Sequence, residues 1–181
     1  ALARGAEVTL VYGPGTAKPP SGVKVIPIET TEEMLGAVVN ELKAAKHHAA
    51  ILTAAAADYG AADRKMEKTP SGKSEWVIKL KPLPKVVENV KRHEPGIYLV
   101  GFKAEYNVSD EELVDRAYKR LSGADMDLIV ANDVSRKGAG FGTETNEVFI
   151  VDKGRNVNHL DTRSKDEIAK AILDRVNSEL G

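Results

Sequence analysis

Four short segments carry the residues whose types and spacing can do chemistry. In the first, Ala54, Ala55, Ala56 and Ala57 run into Asp58 and Tyr59 directly after an apolar strand pattern. Small side chains let a ligand approach the backbone, and strand C-termini are where open α/β sheets bind ligands. A carboxylate at that place can hydrogen-bond a sugar hydroxyl or a base amine, or hold a metal; it can equally cap the turn that follows. The second segment, Arg64–Lys73, holds Arg64, Lys65, Lys68 and Lys73 around Pro70 and Gly72. It reads as a basic loop able to close over phosphates, with a lysine neutralising oxygens on a transferring nucleotidyl group. A solvated charged loop would have the same composition. In the third, Phe102 ends a strand and is followed by Lys103 and Glu105; it can wall a base pocket or belong to the core. In the fourth, Asn132 and Asp133 end a further strand, placed either to orient a substrate or to form a turn.

Composition removes several other chemistries. The chain has 181 residues and no Cys, which excludes a thiol nucleophile, a disulfide framework and thiolate metal sites, and fits the cytoplasm. A formal net charge of −1 gives no global case for nucleic acid or an anionic membrane. No apolar run approaches the ~20 residues of a membrane span. His47, His48, His93 and His159 lack metal-ligand spacing, so no metal-ligating residue is assigned. There is no phosphate-binding loop with Gly-Lys-Ser/Thr and no G-x-S-x-G elbow. The glycine cluster Gly138–Gly142 reads as a flexible loop before a hairpin.

The elements that must position these residues alternate between strand and helix, the pattern of a parallel sheet covered on both faces. Strands are predicted at Glu7–Gly13, Val23–Glu29, Ala49–Ala55, Tyr98–Phe102 and Asp127–Ala131, with Glu147–Asp152 paired to a strand near Asn156–Leu160. Trp76–Lys81 alternates apolar and charged residues, as a half-exposed antiparallel or edge strand does. Capping boxes at Thr30/Glu33, Ser109/Glu112 and Ser164/Glu167 open three helices, and Pro84 can be the first residue of a shorter one. Ala1–Gly5 looks like the last turn of a helix with Gly5 as its cap. A doubly wound fold normally begins with a strand, a glycine-rich turn and a helix, so the first βα unit is expected to be missing and the chain to be an N-terminally truncated single domain over residues 1–181.

Several segments together resemble the synthetase domain of phosphopantothenate–cysteine ligase. They are GAEVTLVYGP (Gly5–Pro14), AAAADY (Ala54–Tyr59), MEK (Met66–Lys68), LVGFKAE (Leu99–Glu105), DLIVANDVS (Asp127–Ser135) and GFGTETNEVFIVD (Gly140–Asp152), in order over essentially the whole chain. The resemblance implies an α/β fold: a Rossmann-like three-layer sandwich with a mostly parallel central sheet and a small antiparallel flap or hairpin. It implies a ligase of coenzyme A biosynthesis. CTP transfers a nucleotidyl group to the carboxylate of 4′-phosphopantothenate, and L-cysteine then displaces CMP to give 4′-phosphopantothenoylcysteine. Carried over by position, Thr53 and Ala54 cradle the nucleotide and Asp58 holds it. Lys68 is the principal catalytic cation; Pro84, Lys85, Val86 and Val87 form a turn contacting the nucleotide. Phe102 lines its pocket and Arg120 touches it, whereas a second basic position falls on Ala124. The loop after Asn132 and Asp133 dimerises and reaches the neighbouring active site. Mg²⁺ is implied with the nucleotide, as are a homodimer and fusion to, or association with, a flavin-dependent decarboxylase. The family's N-terminal glycine turn and intermediate-stabilising asparagine have no counterpart here. The residues alone also leave open an NAD(P)-dependent oxidoreductase and a nucleotide-binding domain without activity.

Overall fold

The computed structural model describes residues 1–63, 67–68, 71–72, 74–140 and 142–181. Arg64, Lys65, Met66, Thr69, Pro70 and Lys73 of the basic loop, and Phe141 of the glycine loop, lie outside the described residues.

An unbroken apolar run in a strand needs cover on both faces, and β6 (Tyr98–Glu105) and β7 (Leu128–Asp133) meet that condition. Alternate residues point to opposite faces. Leu99, Ile129 and Ala131 join one core with Val90, Leu113, Ala117 and Leu121 from α2 (Val86–His93) and α3 (Asp110–Gly123). Val38 and Leu42 of α1 (Thr31–Ala44) pack on that same core. Val100, Leu128 and Val130 join the other core, with Ile168, Ile172 and Val176 of α4 (Lys165–Leu180). Three helices on one face and one on the other make the three layers expected.

The five-stranded sheet has the order β3–β6–β7–β8–β9, where β3 is Ala49–Leu52, β8 is Thr145–Asp152 and β9 is Val157–Ser164. β3, β6 and β7 run parallel; β8 and β9 form an antiparallel hairpin on the β7 edge. β1 (Thr9–Tyr12) and β2 (Lys24–Pro27) form a separate parallel ribbon. β4 (Tyr59–Ala61) and β5 (Leu80–Pro82) form the small antiparallel pair.

Two of the three predicted capping boxes are complete. Thr30 and Ser164 each accept from the backbone N–H three residues on, and Glu33 and Glu167 reach back to the cap. At α3 the box is half formed: Ser109 accepts from the Glu112 N–H at 3.2 Å, but the Glu112 carboxylate turns to Arg116 instead. A charge-assisted bond outcompetes a neutral backbone donor there. Gly5, at φ 81°, does cap a helical turn, a 3-10 turn over Leu2–Arg4.

Other predicted boundaries move. β3 stops at Leu52, so Thr53–Ala57 is free of the ladder. The strand predicted at Trp76–Lys81 shrinks to Leu80–Pro82, and Trp76, Val77 and Ile78 are exposed outside any strand. Alternation describes a strand's two faces, but β4 has only three residues with which to pair. α2 starts at Val86, with Lys85 as its cap, so Pro84 precedes the helix rather than opening it. Asn132 and Asp133 lie within β7, in register with β6, and Asp133 also starts the turn that follows: its carboxylate accepts from the Ser135 N–H and its carbonyl from the Arg136 N–H.

Candidate functional site

A cavity of about 650 Å³ lies between β1 and α1 on one side and β3 on the other, and opens at the C-terminal ends of β3 and β6. Its size falls in the range of small-molecule and cofactor pockets. The far end is polar: Glu41 accepts from Thr9 Oγ1 and Lys24 Nζ, each at 2.9 Å. Those contacts hold the Glu41 carboxyl below its ordinary value, with Lys24 first and Thr9 second.

The mouth is built from three chain segments. After β3, Thr53 and Ala54–Ala57 line the cavity with small side chains and lead to Asp58. Before α2, Pro84 turns the chain so that Lys85, Val86 and Val87 face the same space. α2 has no side-chain cap, so its first backbone N–H groups remain free to receive an anion. At the end of β6, Phe102 and Lys103 complete the wall, and Arg120 enters from α3. Phe102 is 37% exposed, unlike a core phenylalanine, and offers a flat face to a planar group.

Charge at the mouth is interlaced. Lys85 pairs with Asp58; Arg120 approaches Glu88 at 3.4 Å; Lys103 lies 2.9 Å from Glu105. The Lys85 ammonium, hydrogen-bonded to Asp58, holds its carboxyl below the usual value, and Arg120 and Lys103 add to the effect. Three cations and a helix N-terminus therefore converge on one opening. Such a site neutralises phosphate oxygens, while small residues and an aromatic wall admit a nucleoside.

Of the residues singled out in the sequence, the cavity brings together Thr53, Ala54, Asp58, Pro84, Lys85, Val86, Val87, Phe102 and Arg120. Lys68 does not join them: it is exposed, on the segment between β4 and β5, outside the cavity wall. Asn132 and Asp133 also lie outside that wall. Asp133 is buried and accepts hydrogen bonds from the N–H groups of Asn107, Val108 and Ser135 at 2.8–3.1 Å. Burial pushes its carboxyl up, but these bonds outweigh it and bring the value down to about 2. Its observed work is to tie the loop after β6 to the loop after β7. Lys103 was not singled out as a site residue; the signal was a charge next to Phe102, where the strand leaves the core. Among the described residues there is no group of three or more His, Asp or Glu able to hold a metal ion, and no helix long and apolar enough to cross a membrane.

The chain matches the DNA/pantothenate metabolism flavoprotein C-terminal domain over residues 1–180. It is 40% identical over 179 residues to the Thermococcus kodakarensis coenzyme A biosynthesis bifunctional protein CoaBC, covering 98% of this chain and 42% of that protein. It is 36% identical to a cysteine/cysteine sulfinic acid decarboxylase from an unknown prokaryotic organism, covering 97% of this chain and 48% of the relative. The chain thus spans less than half the length of both relatives. Among solved structures, the C-terminal domain of a coenzyme A biosynthesis bifunctional protein CoaBC superposes with a TM-score of 0.79 at 28% identity, covering 99% of this chain and 77% of that one. The α/β layering, the strand-end cavity and the match over nearly every residue agree, and this chain belongs to the family of DNA/pantothenate metabolism flavoprotein C-terminal domains.

Proposed function

We propose that this chain is the synthetase part of a phosphopantothenate–cysteine ligase of coenzyme A biosynthesis. It joins 4′-phosphopantothenate and L-cysteine through an acyl-nucleotide formed from CTP. The observation that carries this reading is the convergence of Lys85, Lys103, Arg120 and the α2 N-terminus beside the Ala54–Ala57 turn and Phe102. Family membership and the naming of a 40% identical relative for coenzyme A biosynthesis support it. A carboxylate is a poor acyl donor, and nucleotidyl transfer gives it a leaving group. The residues here then have two tasks: neutralising phosphate charge and aligning the reactants.

Thr53 and Ala54 offer backbone to the nucleotide, Asp58 and Phe102 hold its nucleoside part, and Lys85 and Arg120 face its phosphates. Lys68 lies on the segment that joins β4 to β5. It would act as the catalytic cation by closing over the mouth. Mg²⁺ fits as an ion carried by phosphate oxygens rather than by a cage of protein carboxylates. The ion would supply charge neutralisation on the phosphate chain. The protein would act as a homodimer with Asn132, Asp133 and the following loop near the neighbouring site. The chain spans less than half of its relatives, one of them named bifunctional, and this supports fusion to, or association with, a flavin-dependent decarboxylase as part of the same proposal.

The test is pyrophosphate release from CTP by the full-length protein. Release is expected only when 4′-phosphopantothenate is present, with ATP a poorer donor and a chelator of Mg²⁺ abolishing it. Lys68→Ala is expected to slow release at least ~100-fold. Release independent of phosphopantothenate, or none with either nucleotide, would overturn the ligase reading. Unchanged turnover in Lys68→Ala would remove that residue's role alone.

A further inference from the structure

We propose that Lys103 is an exchangeable cation: it leaves Glu105 to take a phosphate oxyanion of the bound ligand. The phosphate belongs either to the nucleotide or to phosphopantothenate, so the inference rests on the ligase reading and deepens it.

Each cation at the mouth would leave a carboxylate behind if it moved to a ligand. A buried or half-buried carboxylate that loses its only partner costs free energy, so a cation that can move is one whose partner keeps another. Among the described residues, Asp58 is paired with Lys85 and Glu88 with Arg120, but both carboxylates are exposed, so water can replace either cation and burial sets no condition there. Glu105 differs. Its Oε1 lies 2.9 Å from Lys103 Nζ, while its Oε2 accepts from Arg116 Nη1 at 2.7 Å. Burial pushes the Glu105 carboxyl up, but Lys103 and Arg116 together hold it below its ordinary value. When Lys103 departs, Arg116 remains on the carboxylate.

Position supports the exchange. Lys103 lines the cavity, and it is one residue beyond Phe102 on β6, near enough to Asp58 to lower that carboxyl. Its side chain is about one-third exposed whereas that of Glu105 is nearly buried, so the mobile member of the pair is the one facing the opening. A lysine suits this work: its ammonium is a point charge on a flexible stem, with no fixed fork to realign.

The experiment compares four ligands on the full-length protein by calorimetric or competition titration: CTP, cytidine, 4′-phosphopantothenate and pantothenate. Lys103→Ala is expected to weaken one phosphorylated ligand about 10-fold and leave its unphosphorylated counterpart unchanged. Lys103→Arg should retain affinity within about 3-fold, since it keeps the charge. Glu105→Gln removes the competing anion and should tighten the same ligand about 3-fold, a change opposite in sign to that of a loosened fold. The CTP and phosphopantothenate arms identify which phosphate Lys103 serves. Equal losses on phosphorylated and unphosphorylated forms, or no loss on either phosphorylated ligand, would overturn the proposal. Wild-type protein that binds CTP while Lys103→Ala binds it and phosphopantothenate equally well removes Lys103 and leaves the ligase reading standing. Wild-type protein that takes neither phosphorylated ligand brings down both.

Discussion

The β6–β7 half of the molecule and the β1–β2 ribbon are both parallel pairs of apolar strands, yet they are buried to different degrees. Leu99, Val100, Leu128, Ile129 and Val130 are completely buried between helices on both faces. No residue of β1 or β2 is fully buried, and Val25 is 39% exposed. Strand composition is similar; what differs is cover. The candidate site lies at the boundary, with its wall divided between the rigid half (Phe102, Lys103, Arg120) and the thinly covered one (Thr9, Leu10, Val11). A site so placed takes its precision from one half and its room from the other.

The contrast should be largest in the core. Ile129→Ala is expected to cost about 4 kcal/mol in urea unfolding, against about 1 kcal/mol for Leu10→Ala in the ribbon. Equal costs would mean that the ribbon is as well packed as the sheet. Asp133→Ala comes next, at about 2–3 kcal/mol, because it removes the buried acceptor shared by three backbone N–H groups. Its pH signature has a definite sign. The folded value of about 2 lies below the unfolded one, so the Asp133 contribution is complete above about pH 4 and is lost as pH falls through about 2. Unfolding of wild type should therefore weaken between about pH 4 and 2 by more than that of Asp133→Asn; parallel curves would assign the acid sensitivity elsewhere.

Gly101 gives a smaller effect at the boundary itself. A Cβ there would meet Met126 Sδ at 2.2 Å, and Met126 is buried. Gly101→Ala should cost about 1–2 kcal/mol, since methionine can adjust only partly. The smallest effect is predicted for Val25→Ala, within about 0.5 kcal/mol on stability. A larger value would show the ribbon to be better covered than its exposure indicates.

Much of this division was legible in the sequence, for identifiable reasons. Asp127–Ala131 is too continuously apolar to be anything but a strand with two covered faces. Thr30 with Glu33, and Ser164 with Glu167, mark helix starts through local hydrogen bonds that depend on no distant residue. The Ala54–Ala57 turn and Asp58 could be placed at the ligand edge because a strand pattern precedes them. What sequence could not supply was pairing and competition between partners. Trp76–Ile78 alternates as a strand would, but has no described partner strand. Glu112 has the spacing of a capping box and is claimed by Arg116. Asn132 and Asp133 have turn composition, yet the ladder to Ala104 and Glu105 carries the strand through them.

The separation of the β1–β2 ribbon from the main sheet has a consequence for the backbone itself. Among the described residues, β1 is bonded along one edge, to β2, and β3 along one edge, to β6. Successive N–H groups of a strand point to opposite edges, so about half the amides of Thr9–Tyr12 and Ala49–Leu52 are held in a ladder while their neighbours face the cavity. Hydrogen–deuterium exchange on these strands should accordingly alternate between slow and fast with a period of two, while β7, bonded on both edges, should be slow throughout. The same two open rows of donors and acceptors are templates for strand addition.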